Sequence, residues 1–138
     1  MPGTPHHTFE EHVSEVRLRI EARSLREVFE EAGRALAALS AEADTEATLG
    51  VGERIELDAR DREALLVAWL NELIFCSETR KLIYDALCVE HVDDRSLVAM
   101  VRGRTPSAVR TAVKAATMHD VRIEESPEGF TATVVLDV

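Results

Sequence analysis

Glycine and proline are scarce, six and four among 138 residues. None of the glycines falls in G-x-x-x-x-G-K-S/T or G-x-G-x-x-G spacing, so the chain offers no glycine-rich cradle for nucleotide phosphates. G-x-S-x-G and H-E-x-x-H are also missing, which removes the nucleophile elbow of the α/β-hydrolases and the zinc helix of the zincins. Cysteine is limited to Cys76 and Cys88. Both sit in apolar segments without C-x-x-C spacing, and they are expected as core residues of a reduced, cytosolic protein. The longest apolar stretch, "ALLVAWLNELIFC", is interrupted by Asn71 and Glu72 and falls short of the roughly 18 residues of a membrane span. The N-terminal "MPGTPHHTFEEH" has no apolar core of a secretion signal. These absences predict a cytoplasmic protein with no membrane partner. Positive charge is also in deficit, with 16 basic against 26 acidic side chains and a net charge of −10. Such a surface repels nucleic-acid phosphates and suits a basic protein partner or a multivalent cation.

What is present reads as one globular unit. Hydrophobic residues make up 46% and charged residues 30%, a composition that supports a packed core over disorder. Residues 1–10, with two prolines, a glycine and a histidine pair, are expected as a flexible lead-in, and residues 11–138 as a single domain. From Ser14 the pattern alternates, with Val16, Leu18, Ile20 and Ala22 on one side and Glu15, Arg17, Arg19 and Glu21 on the other, as in a half-buried strand. "SLRE" follows as a capping box on Ser24 and Glu27, opening an amphipathic helix to about Leu39.

Gly50 and Gly52 flank a turn before the strand "RIELDA", and Asp58 or Asp61 caps a second helix through "EALLVAWLNELIFCSE". That helix is apolar nearly all round, which marks it as central, with Trp69 in the core. "LIYDALCVEHV" and "SLVAMVRG" read as a hairpin about Asp93-Asp94, and "GRTPSA" as a surface loop. "VKAATMHDVRIEE" and "FTATVVLDV" read as strands joined by Ser-Pro-Glu-Gly, a strong turn signal. The order predicts an α+β domain, a two-layer sandwich of two helices on a mixed β-sheet.

Three stretches hold the candidate functional residues: "EEHVSEV" with His12 and Glu15, "KAATMHDV" with Lys114, His119 and Asp120, and the final "LDV" with Asp137 and Val138. If the first and last strands are neighbours, Glu15 and Asp137 meet at one end of the sheet beside the carboxylate of Val138. Three converging carboxylates repel one another, and a hard cation such as Ca²⁺ or Mg²⁺ relieves that cost with oxygen ligands. From periodicity alone plain solvation is the first reading, since both residues fall on the polar side of their strands. His12 and His119 read first as satisfied, partly buried histidines. His119 and Asp120, next to Lys114, could form an acid–base pair, but adjacent strand residues should face opposite ways.

Taken together, "EHVSEVRLRIEARSLREVFEEAGRAL", "LLVAWLNELIF", "VKAATMHDVRI" and "FTATVVLDV" resemble the archease family, from about Glu11 to Val138. The resemblance implies a two-layer α+β accessory protein with no catalysis of its own. Its expected role is to activate the GTP- and manganese-dependent RNA ligase of tRNA splicing and RNA repair. It would promote guanylylation of the ligase's histidine and multiple turnover. The resemblance also implies a bound metal ion, commonly calcium. By position, the family's D-H-T-A-D-like motif falls on Glu11, His12, Val13, Ser14 and Glu15. The implied metal ligands are therefore Glu15, Asp137 and Val138, with His12, Lys114, His119 and Asp120 in supporting or partner-facing roles. Glu15 departs from the family's usual aspartate by one methylene, and Met118 stands where the family has tyrosine. Two other functions remain open: a chaperone-like partner of an RNA methyltransferase, and a small metal-dependent hydrolase using His12, Glu15, His119 and Asp137.

Overall fold

A computed structural model describes residues 3–12 and 14–138, without the side chains of Glu11 and His12. Nine strands and two helices are formed among the described residues. In chain order they are β1 (His6–His12), β2 (Glu15–Ala22), α1 (Leu25–Ser40), β3 (Ala41–Ala43), β4 (Glu53–Asp58) and α2 (Arg62–Arg80). There follow β5 (Ile83–Val92), β6 (Ser96–Arg104), β7 (Pro106–Val109), β8 (Ala115–Ser126) and β9 (Gly129–Asp137). The two helices pack on antiparallel sheets, in keeping with the α+β class. The single mixed sheet of the sequence reading resolves into three sheets, ordered β1-β2-β9-β8, β4-β6-β5 and β3-β7, with every pairing antiparallel.

Local chemistry explains the main elements. Alternation in β2 buries Val16, Leu18, Ile20 and Ala22, and the last three share one core with the helices. Ser24 caps α1 by accepting from the Glu27 backbone N–H at 3.2 Å. The Glu27 carboxylate accepts from the Ser24 hydroxyl at 3.3 Å, so it closes the box on the side chain of the cap. Asp61 caps α2, accepting from Ala64 N–H at 2.8 Å, while Asp58 ends β4. Trp69 is fully buried, and its indole N–H donates to the Phe29 carbonyl at 2.8 Å, joining the two helices inside the core. Asp93 accepts from the backbone N–H groups of Arg95 and Ser96, both at 2.8 Å, and closes the β5–β6 hairpin. Gly129, at φ 141°, supplies the backbone freedom that the β8–β9 turn needs.

Three expectations are corrected. Residues 6–10, read as part of a loose lead-in, continue through Glu11 and His12 as β1, which pairs with β2 from His6↔Glu21 to His12↔Glu15. The strand is fastened to α1 by His7, whose Nδ1 lies 2.5 Å from a carboxylate oxygen of the buried Glu31. "GRTPSA", read as loop, supplies β7, which pairs with β3. Proline is tolerated there because the two-stranded sheet leaves each strand an open edge. Cys88 is exposed, unlike the buried Cys76. The neighbouring Val89 points into the core at 0% exposure, so alternation turns Cys88 outward.

Candidate functional site

The β2–β9 register places Glu15 directly opposite Asp137, and β9–β8 places Asp137 opposite Ala115. Val138 N–H donates to the Ser14 carbonyl at 3.0 Å, the bond that flanks this pair. Glu15 and Asp137 are thus a non-hydrogen-bonded cross-strand pair, the arrangement with the closer side chains, about 4.5–5.5 Å between Cβ atoms. Lys114 N–H donates to the Asp137 carbonyl at 2.8 Å and ties the start of β8 to the same end of the sheet. His12 occupies the register position opposite Glu15, but its side chain lies outside the described residues. The sequence expectation that the first-read and last strands bring Glu15, Asp137 and Val138 together thus corresponds to a real juxtaposition of positions.

One row further along the same face, Arg17, Val135 and Thr117 lie side by side. Val135 is only 2% exposed although it sits on the face away from the helices. The hydroxyl oxygen of Thr117 is buried with no hydrogen-bond partner. Above this row, β8 loses its ladder. Thr117 pairs with Val135 and Arg122 with Thr133, so four residues of β8 oppose Val134 alone. Asp120 adopts a left-handed backbone, φ 58°, within the bulge.

The bulge corrects the expectation that His119 and Asp120 face opposite ways. His119 Nε2 lies 3.2 Å from Asp120 Oδ2, and Arg17 reaches the same oxygen at 3.5 Å from β2. The left-handed residue breaks the alternation and brings the two side chains together. All three groups are at least about a third exposed, with His119 at 75%, so water screens them and the pairs contribute little stability. Arg17 and Thr117 were not singled out from sequence. Both sit on alternating strand positions that read as ordinary surface, and only the register reveals their neighbours.

The donors at the sheet end are hard oxygens, with no thiol among them, and the unpartnered Thr117 hydroxyl faces the same side. This chemistry fits a Ca²⁺-like cation and not a thiolate-seeking metal. Among the described residues no three His, Cys, Asp or Glu side chains converge. The two side-chain carboxylates that the register sets opposite one another are Glu15 and Asp137, and the His12 side chain that the hydrolase reading also needs lies outside the described residues. Among the described residues no helix is long and apolar enough to cross a membrane.

The fold and this acidic sheet end define a small α+β protein that carries paired carboxylates where its central strands finish. The profile of the Archease protein family (MTH1598/TM1083) matches residues 7–138, and the chain belongs to that family. It is 34% identical to the protein archease of Archaeoglobus fulgidus, over 94% of this chain and 97% of the relative. It is 31% identical to the protein archease of Methanosarcina mazei, over 93% and 92%. Among solved structures, protein 1598 of Methanobacterium thermoautotrophicum superposes with a TM-score of 0.75 at 26% identity, over 96% of this chain and 98% of that one. The fold is also shared with a Thermotoga maritima archease described as a possible chaperone, TM-score 0.66 at 18% identity, over 94% of each.

Proposed function

We propose that this chain is an accessory protein that activates a GTP-dependent RNA ligase of tRNA splicing and RNA repair, with its carboxylate-bearing sheet end as the working surface. The observation that carries the reading is the Glu15–Asp137 pair beside Val138 in a chain of the archease family. The net charge of −10 favours action through a protein partner over direct contact with RNA. The family likeness to a protein described as a possible chaperone fits an assisting role with no turnover of its own.

Each part of the chain contributes a defined task. The antiparallel register holds two carboxylates side by side on adjacent strands, and like charges so placed favour any cation that approaches. Backbone bonds from Val138 to Ser14 and from Lys114 to Asp137 fix the strand ends that carry them. Glu15, Asp137 and Val138 would hold a divalent ion, Ca²⁺ by its hard-oxygen preference, which when bound neutralises the carboxylates and fixes their orientation. The acidic end is presented to the mouth of the ligase's active site, where it promotes guanylylation and repeated turnover.

Multiple-turnover RNA ligation by the same organism's ligase, with and without this protein, tests the reading. Stimulation by the wild type that disappears in Asp137→Ala is the expected result. Absence of stimulation by the wild type overturns it. The chaperone-like reading, with an RNA methyltransferase as client, would then be tested by co-purification with that enzyme.

A further inference from the structure

Phe75 is 59% exposed on α2, a helix that otherwise buries most of its large apolar side chains, including Trp69, Leu70, Leu73 and Ile74. Its helical neighbours three residues away on each side are Glu72 and Glu78, so an aromatic ring stands between two carboxylates on one surface. The position of that ring follows from the packing of α2 along β8. Arg62 and Glu63, at the start of α2, bond to the backbone of Ile123, while Asn71 bonds to that of Ala116. The helix therefore runs antiparallel to β8. One further turn advances about 5.4 Å along the helix, which carries Phe75 past Ala116 towards the start of β8, where Lys114 precedes the strand. Lys114 is the residue whose N–H is bonded to Asp137. On the other side of Ala116, Met118 is 43% exposed in the bulge of β8.

We propose that Phe75 is the apolar anchor of a protein-docking surface on α2, at the same end of the sheet as the Glu15–Asp137 pair. The occupant is a partner protein presenting an apolar pocket rimmed by lysine and arginine. Charge decides this choice: against one lysine, Lys114, stand Glu72 and Glu78 beside the ring, Asp137 and Glu15 at the neighbouring strand ends, and −10 over the whole chain. A second copy would bring the same acidic rim against this one, and a nucleic acid would bring phosphates. An exposed aromatic ringed by charges matches the pattern of interface hot spots, where one buried ring carries much of the affinity and the rim sets specificity and approach. The inference rests on the ligase reading for the name of the partner and assigns to it a contact distinct from the carboxylate pair. Phe75 supplies affinity, and Asp137 supplies the activating chemistry.

The two roles separate in a titration. Ligation turnover is measured against increasing concentrations of wild type, Phe75→Ala, Phe75→Leu and Asp137→Ala. Phe75→Ala is expected to raise the concentration for half-maximal stimulation about tenfold or more while reaching the wild-type plateau. Phe75→Leu recovers most of the loss, and Asp137→Ala lowers the plateau at every concentration. Phe75 is exposed, so an unchanged thermal midpoint verifies that its variants fold. Wild-type stimulation with an unchanged midpoint concentration in Phe75→Ala overturns the docking surface and leaves the ligase reading standing. Failure of the wild type to stimulate removes both. A wild-type dimer in sedimentation that Phe75→Ala dissolves overturns the proposal by giving the ring to a second copy.

Discussion

The side-chain amide of Asn71 pairs with both backbone groups of Ala116, accepting from its N–H at 2.8 Å and donating to its carbonyl at 3.1 Å. A helix side chain thus takes the place of the missing neighbour at the outer edge of β8 and holds that strand to α2. The Asn71 amide has the two complementary groups that such an edge requires.

Replacing Asn71 with leucine leaves the two backbone groups of Ala116 without that partner. The expected cost is about 1–3 kcal/mol in chemical denaturation, the penalty of stranding part-buried polar groups. The midpoint should fall with the denaturant slope unchanged. A loss below the error of the measurement would mean that water replaces the amide there.

Calcium affords a test of the sheet end that needs no partner protein. If Glu15, Asp137 and Val138 hold a hard cation, added Ca²⁺ raises the thermal midpoint of the wild type by mass action on the folded state. Asp137→Asn should abolish the shift. Glu15→Asp, the residue that the family resemblance implies at this position, should strengthen it. A midpoint insensitive to Ca²⁺ in all three proteins would exclude a structural ion at this end.

Tyr84 is the one tyrosine of the chain, so its ionisation can be followed alone by tyrosinate absorbance. Burial, and then a hydrogen bond to Glu53 at 2.7 Å with the nearby negative charge, push its pKa from 10 up to about 12. The folded state keeps its proton where the unfolded state has lost it. Stability should therefore be at its full value below about pH 10 and decline as pH rises towards about 12. Glu53→Gln removes the charge and should move the tyrosinate midpoint downwards. An unchanged midpoint would leave burial as its sole cause.

Glu31 is 8% exposed and accepts from Arg34 at 3.2 Å as well as meeting His7. Replacing His7 with alanine is expected to loosen β1 from α1 and to cost about 1–3 kcal/mol, since Glu31 stays buried with one partner fewer. Hydrogen exchange checks the location: protection should fall in His6–His12 ahead of the β2–β9 pairing. Uniform loss across the sheet would contradict a local fastening.

The parts legible from sequence are those with a single dominant period or a local chemical signature. Val16 to Ala22 alternate without exception, and Ser24 with Glu27 announces a helix start within four residues. The apposition of Glu15 and Asp137 followed from their places at strand ends once the strands were assumed to be neighbours. β1 escaped because its inward residues, His7 and Phe9, are not a recognisable apolar pair. The charge at Glu31, on the buried stripe between Val28 and Ala35, was the available hint that something polar would meet it. Phe75 was hidden by a helix whose apolar residues cover almost its whole circumference, so no periodicity singles out an exposed one. The meeting of His119 and Asp120 depends on a left-handed residue, which alternation cannot foresee.

The bulge of β8 bears on how the protein tolerates changes of length. Its two flanks keep separate registers to β9, with Ala116 and Ile123 both turned inward although seven residues apart. Inserting or deleting one residue in most of the sheet would turn every later side chain to the wrong face. Between Met118 and Val121 the same event falls where no ladder is kept, so both flanks can retain their facing. This is the segment of the sheet where residues can be gained, lost or exchanged beside the acidic end while the core keeps its composition. A change of length there alters the exposed surface and leaves the rest of the sheet in register.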